Sequence, residues 1–183
     1  MKRRFFFFLL LCLFACNNIF AQRFIEDIQA FKKQDSISFP PQNAILFVGS
    51  SSFTNWKDVQ NYFPSHTIIN RGFGGSSLTD VIRYANDIIF PYQPKQIVIY
   101  CGENDIAGDS TVTGKMVFER LKKLYTDIRT HAAHVPIVYI SMKPSPSRWS
   151  MKSRMLDGNS RIQKFLKKKN RNGGTCWPGL PYC

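Results

Sequence analysis

A chain of 183 residues with a formal net charge of +13 is long enough for one domain with a real core and too short for two. The charge does not make it a nucleic-acid binder. Lys2, Arg3 and Arg4 sit in the leader, and Lys164, Lys167, Lys168, Lys169 and Arg171 crowd near the end with no acid among them, so three and five charges taken from +13 leave +5, thinly spread. Cys101, Cys176 and Cys183 follow the leader in odd number and without metal-ligand spacing, so no metal or cofactor is called for. Cys176 and Cys183 are free to pair, while Cys101 reads as a small core residue.

In chain order, MKRR is a basic start, FFFFLLLCLFAC an apolar run and NNIFAQ a small-residue cleavage site after Ala21, so residues 1–21 have the layout of a secretory signal peptide. The run is shorter than the roughly 20 residues of a spanning helix. LFAC offers an alternative, a lipoprotein site that leaves Cys16 lipidated and membrane-anchored; either way the chain is expected outside the cytoplasm, secreted or periplasmic. Phe24, Ile25, Ile28 and Phe31 have helical spacing. Pro40-Pro41 then forces an extended entry into a strand over Ala44 to Val48. A short strand follows at Thr67 to Ile69, a helix over Leu78 to Phe90 ending before Pro91, and a strand over Gln96 to Gly102. Met116 to Ala132 predicts a long amphipathic helix, Pro136 to Ser141 a fourth strand, and Asp157 to Lys168 another helix.

Strands alternating with helices imply right-handed crossovers and a parallel sheet. Continuous apolar strands such as IVIY imply helices on both faces, a three-layer α/β/α, flavodoxin-like sheet. Ligands in such sheets lie outside the carboxyl ends of the strands. The segments found there are GSSS, NRGFGGSS, GENDIAGD and SMKPSPSRW, rich in glycine, hydroxyls and amides. Ser51 is either a nucleophile facing that edge, with the positive end of a helix behind it, or a helix cap. Gly74-Gly75 offers a bare N–H to an oxyanion or makes a tight turn. Asn104 offers an amide donor or an Asx-turn with Asp105. GFGGSS lacks the Walker lysine and the spacing of a dinucleotide fingerprint.

Gly49-Ser50-Ser51, Asn70-Arg71-Gly72-Phe73-Gly74-Gly75 and Gly102-Glu103-Asn104-Asp105 together resemble blocks I, II and III of the SGNH (GDSL-like) hydrolases, over roughly Ala44 to Leu166. SMKPSPSRW resembles the segment after the fourth strand in a bacterial subgroup, whose Gly-Ser-Ser form matches Ser50 in place of the aspartate of Gly-Asp-Ser. The resemblance implies a secreted esterase, lipase, thioesterase or carbohydrate deacetylase working without a cofactor on a small-molecule or carbohydrate ester. Ser51 matches the nucleophile, Gly75 the backbone oxyanion donor and Asn104 the side-chain donor. One serine then presents the nucleophile and a neighbour caps the helix.

The family's base is a histidine in an Asp-x-x-His block after a fifth strand. Here His66 precedes the second strand, and His131 and His134 end the helix before the fourth, all at the wrong edge; Asp127 and His131 read as a surface pair. After Leu166 periodicity ends, and residues 167–183, KKKNRNGGTCWPGLPYC, predict no fifth apolar strand. The expected division is a signal peptide over 1–21, an incomplete hydrolase-like domain over 22–166 with the fifth strand and last helix missing, and an aberrant tail. A frameshift at A-rich codons for Lys167 to Lys169 would produce that tail. The consequences expected are very weak ester hydrolysis and an unprotected edge at Ile137 to Ile140 that favours aggregation. The alternative is a non-catalytic carbohydrate- or lipid-binding remnant, with Trp56, Phe73 and Trp149 as a stacking rim.

Overall fold

The apolar runs form four parallel strands of four or five residues: β1 (Ile45–Gly49), β2 (Ile68–Gly72), β3 (Gln96–Tyr100) and β4 (Ile137–Ile140). A computed structural model describes residues 23–169 and the backbone of 175–176. Thr175–Cys176 forms a two-residue β5, giving the order β2-β1-β3-β4-β5. A fifth strand was not expected there. β5 pairs only with Tyr139 and Ile140, so the first half of the β4 edge stays uncovered by it. The leader, Cys16, the Cys176–Cys183 pairing and most of the tail lie outside the described residues.

The sheet runs outward in one direction from β1 to β2 and in the other from β1 through β3 to β5. Right-handed crossovers therefore place the β1→β2 connection on one face and the later ones on the opposite face. The later connections are α3 (Leu78–Arg83) with α4 (Ala85–Ile88), α6 (Gly114–His131) and α7 (Lys152–Lys169). With α1 (Ile25–Ile37) they bury Leu46, Val48, Ile97, Ile99, Ile137 and Tyr139 in the main core. The β1→β2 connection supplies only α2 (Ser51–Thr54) and a 3-10 turn (Val59–Tyr62). Phe53 and Val59, with Trp56 and Phe63 beside them, pack on Ile45 and Phe47, but among the described residues nothing comparable reaches β4. A groove of about 440 Å³ remains over that face, walled by Phe47, Trp56, Phe63, Val98, Val138 and Ile140. The flavodoxin-like sheet is as expected, with its two helical layers very unequal.

The helix expected over Leu78 to Phe90 breaks at Tyr84 into α3 and α4, and Pro91 sits inside a 3-10 turn, Phe90–Tyr92. α7 starts five residues earlier than Asp157 and continues through Lys169, so the lysine run is helical. There the three lysines sit at the negative end of the helix dipole, where cations are favoured. Thr113 caps α6 by accepting the Met116 N–H at 3.2 Å.

α1 is tied to the sheet by a buried ion pair between Asp35 and Arg71 of β2. The Tyr92 hydroxyl bonds to Asp35 and accepts from Arg71 Nε at 2.8 Å. Burial is the main cause that raises the Tyr92 phenol to about 12, so it stays neutral and able to donate. Removing one member of such a pair leaves an uncompensated buried charge. Asp35→Ala is expected to cost about 3–5 kcal/mol in urea unfolding, and a loss below about 1 kcal/mol refutes the anchoring role. Over the groove, Val138→Thr with Ile140→Thr is expected to reduce binding of the dye ANS without changing helix content; unchanged dye binding places the exposed apolar surface elsewhere.

Candidate active site

β1 ends in Gly49, whose φ is +149° and whose missing Cβ would lie 2.0 Å from the Tyr100 carbonyl oxygen. Only glycine permits β1 and β3 to approach this closely where their connections diverge to opposite faces. Ser50 N–H continues the pairing by donating to Tyr100 O at 3.2 Å. Ser51 then begins α2 and is exposed. Among the described residues its hydroxyl has no hydrogen-bond partner.

The expected cap is absent. Ser50 occupies the N-cap position of α2 but makes no side-chain capping bond; its carbonyl instead accepts Phe53 N–H at 3.0 Å and Thr54 Oγ1 at 3.2 Å. With four residues, α2 also contributes little macrodipole, which falls short of the positive helix end expected behind Ser51. Its orientation comes from Asn70, whose Nδ2 donates to Phe53 O at 2.7 Å and whose Oδ1 accepts Gly72 N–H at 3.0 Å. Asn70 thus locks the first loop onto the second.

Gly75 has φ +82° and is exposed, so its left-handed turn needs glycine. Asn104 lies in the first turn of α5 (Glu103–Ala107), not in an Asx-turn. Its Nδ2 donates to Ser76 O at 3.0 Å, and the Ser76 hydroxyl donates to Gly49 O at 3.1 Å. Fully buried Ser76 therefore joins the loops that carry Ser51, Gly75 and Asn104. It gave no separate signal in sequence, being one serine among many in GFGGSS.

Two further groups were not foreseen. Asp105, with a fully buried side chain, accepts Leu78 N–H at 2.9 Å at the start of α3 and Arg120 Nη1 at 2.7 Å. Burial raises its carboxyl above the usual carboxylate range, and the Leu78 and Arg120 bonds draw it part of the way back. Arg148, in the 3-10 turn Pro146–Met151, donates to Asn104 Oδ1 at 2.9 Å and pairs with Glu103 at 3.4 Å. Glu103 also accepts the Tyr100 hydroxyl at 2.8 Å and Lys143 N–H at 2.6 Å. Burial, then Glu103, pushes the Tyr100 phenol well up.

The three histidines lie elsewhere, as their positions implied. His66 precedes β2. His131 ends α6, stacked on Phe90 with ring centroids 3.7 Å apart, and His134 follows. Both line a cavity of about 410 Å³ with Pro94, Lys95 and Pro136, residues that precede β3 and β4. His131 Nδ1 contacts the Asp127 carbonyl at 3.0 Å, whereas the Asp127 carboxylate pairs with Lys123, so the expected Asp127–His131 side-chain pair does not form. Of the three aromatics considered for a rim, Phe73 is fully buried and Trp56 packs against Phe63; Trp149 remains exposed.

No protein-family model matches the chain, and no curated protein matches it. Solved structures do. A Bacteroides thetaiotaomicron GDSL-like lipase matches with TM-score 0.67 and 17% identity, over 82% of this chain and 77% of that one. An acetyl xylan esterase from Geobacillus stearothermophilus matches with TM-score 0.55 and 14% identity, over 73% and 76%. A Streptococcus pneumonia protein provisionally described as a platelet activating factor matches with TM-score 0.71 and 18% identity, over 92% and 80%. The fold is that of the SGNH (GDSL-like) hydrolases, as the three blocks implied.

Cys101 Sγ lies against Ser76 O at 3.5 Å, and burial pushes its thiol up. Native protein treated with iodoacetamide at pH 8 is expected to leave Cys101 unmodified in peptide mass maps, with full labelling in urea. Native labelling would show that the Ser76 region opens.

Proposed function

We propose that this chain is an exported serine hydrolase of the SGNH type, acting on carboxylic esters through an acyl-Ser51 intermediate. The observation that carries the reading is Ser76, bonded at once to Gly49 and Asn104. It supports convergence of an exposed serine, a glycine whose carbonyl accepts from Arg23 but whose N–H has no partner among the described residues, and an amide at the carboxyl edge of the sheet, where this architecture binds ligands. In this reading Ser51 Oγ bonds to the ester carbonyl carbon as its proton leaves. The oxyanion is held by the Ser51 and Gly75 N–H groups and the Asn104 amide. Collapse breaks the bond to the alcohol oxygen, the alcohol takes up a proton, and water then cleaves the acyl-serine.

The difficulty is the first proton. None of the chain's three histidines stands at this edge, so solvent has to accept it. Slow turnover is the consequence. On p-nitrophenyl acetate, Ser51-dependent hydrolysis is expected far below the ~1 s⁻¹ that marks the low end of ordinary enzymes. A rate at or above that value refutes the missing base; an undiminished rate in Ser51→Ala refutes the nucleophile.

The same placement of histidines supports a second reading, a non-catalytic carbohydrate- or lipid-binding remnant. Trp149, 58% exposed beside Arg148, is the exposed member of the three aromatics considered for stacking on a sugar. Calorimetric binding of an acetylated oligosaccharide without release of acetate distinguishes it. Export rests on residues 1–21, with anchoring at Cys16 as the alternative. Among the described residues no helix is long and apolar enough to cross a membrane.

A further inference from the structure

We propose that Arg148 is a positioning residue for the oxyanion donor Asn104, an inference that rests on the esterase reading of the site. A side-chain amide can sit in either of two orientations that differ by exchange of its oxygen and nitrogen. Here the two neighbours settle which. On one side, the Arg148 guanidinium, a donor with no acceptor, lies 2.9 Å from Oδ1; on the other, the Ser76 carbonyl oxygen, an acceptor only, lies 3.0 Å from Nδ2. Reversing the amide would set donor against donor and acceptor against acceptor. The assigned orientation leaves the second Nδ2–H without a partner among the described residues, available to a developing oxyanion.

Arg148 is itself held from both sides. Its Nη1 pairs with Glu103 at 3.4 Å, and that carboxylate is fixed by the Tyr100 hydroxyl and the Lys143 N–H. Pro144 and Pro146 restrict the backbone before it, and Arg148 N–H donates to Ser145 O at 2.9 Å. Further back, Asn159 of α7 brackets Met142, accepting its N–H and donating to its carbonyl, both at 2.9 Å. The charge-assisted bond also polarises the amide, which strengthens its N–H as a donor. The fourth strand's loop thereby acts on the site without touching the reacting atoms.

Two readouts test this in the full chain. The first is the Ser51-dependent rate on p-nitrophenyl acetate. Arg148→Ala is expected to lower kcat about 10–100-fold, approaching the loss of an oxyanion donor, with KM little changed. In an Asn104→Ala background the same substitution is expected to have no further effect, and Arg148→Lys, which keeps one donor, to recover part of the rate. Independent, additive losses in the double variant overturn the proposal. The second readout is the Asn104 side-chain NH2 pair in nitrogen-15 NMR spectra. It is expected to shift or broaden in Arg148→Ala, and an unmoved pair overturns the proposal. If the wild-type chain shows no Ser51-dependent hydrolysis, the esterase reading fails, and the NMR pair alone decides whether Arg148 orients Asn104.

Discussion

The handedness of the crossovers governs this molecule. Because β1 connects one way across the sheet and β3 continues the other way, their following loops part to opposite faces and leave a crevice between them. Gly49 and Tyr100 lie at that parting, in contact so close that no side chain fits at Gly49. The same handedness leaves most of the described helices on one face, and among the described residues only a four-residue helix and a 3-10 turn on the other. One geometric rule thus produces both the candidate site and the bare apolar groove.

Around the crevice, polar groups do what apolar packing cannot: they fix orientation. Ser76 ties the first and third loops, Asn70 ties the first to the second, and Asp105 ties the start of α3 to α5. The fourth loop joins through Arg148. Ser76, Asn70 and Asp105 each have partners, as burial without one costs about 1–3 kcal/mol; the buried Ser141 hydroxyl, at the end of β4, is the exception among the described residues. The result is a braced rim around an exposed Ser51, whose hydroxyl has no partner among the described residues. Among the described residues no histidine stands beside that serine.

The two edges of the sheet differ in kind. The carboxyl edge gathers hydroxyls, amides and glycines, whereas the amino edge holds His131 and His134 in a cavity walled largely by apolar groups. His131 is taken up in stacking on Phe90 and capping its own helix. Spacing in sequence suggested a surface pair with Asp127; Lys123, longer and charged, takes that carboxylate instead.

The sequence by itself determined the alternation of strands and helices, the parallel sheet and the edge at which Ser51, Gly75 and Asn104 lie. These follow from local apolar periodicity and from glycines at strand ends, which neighbours along the chain already encode. It also placed the histidines at the wrong edge, since strand direction alone decides that. Tertiary structure decided the rest. Serine spacing suggested a helix cap at α2, but Asn70, seventeen residues or so away along the chain, holds that helix instead. Ser76, Asp105 and Arg148 took their roles from partners 15–44 residues distant, across bonds that no local pattern announces. The two-residue β5 was equally invisible, because its pairing rests on backbone groups along β4 that any sequence can supply.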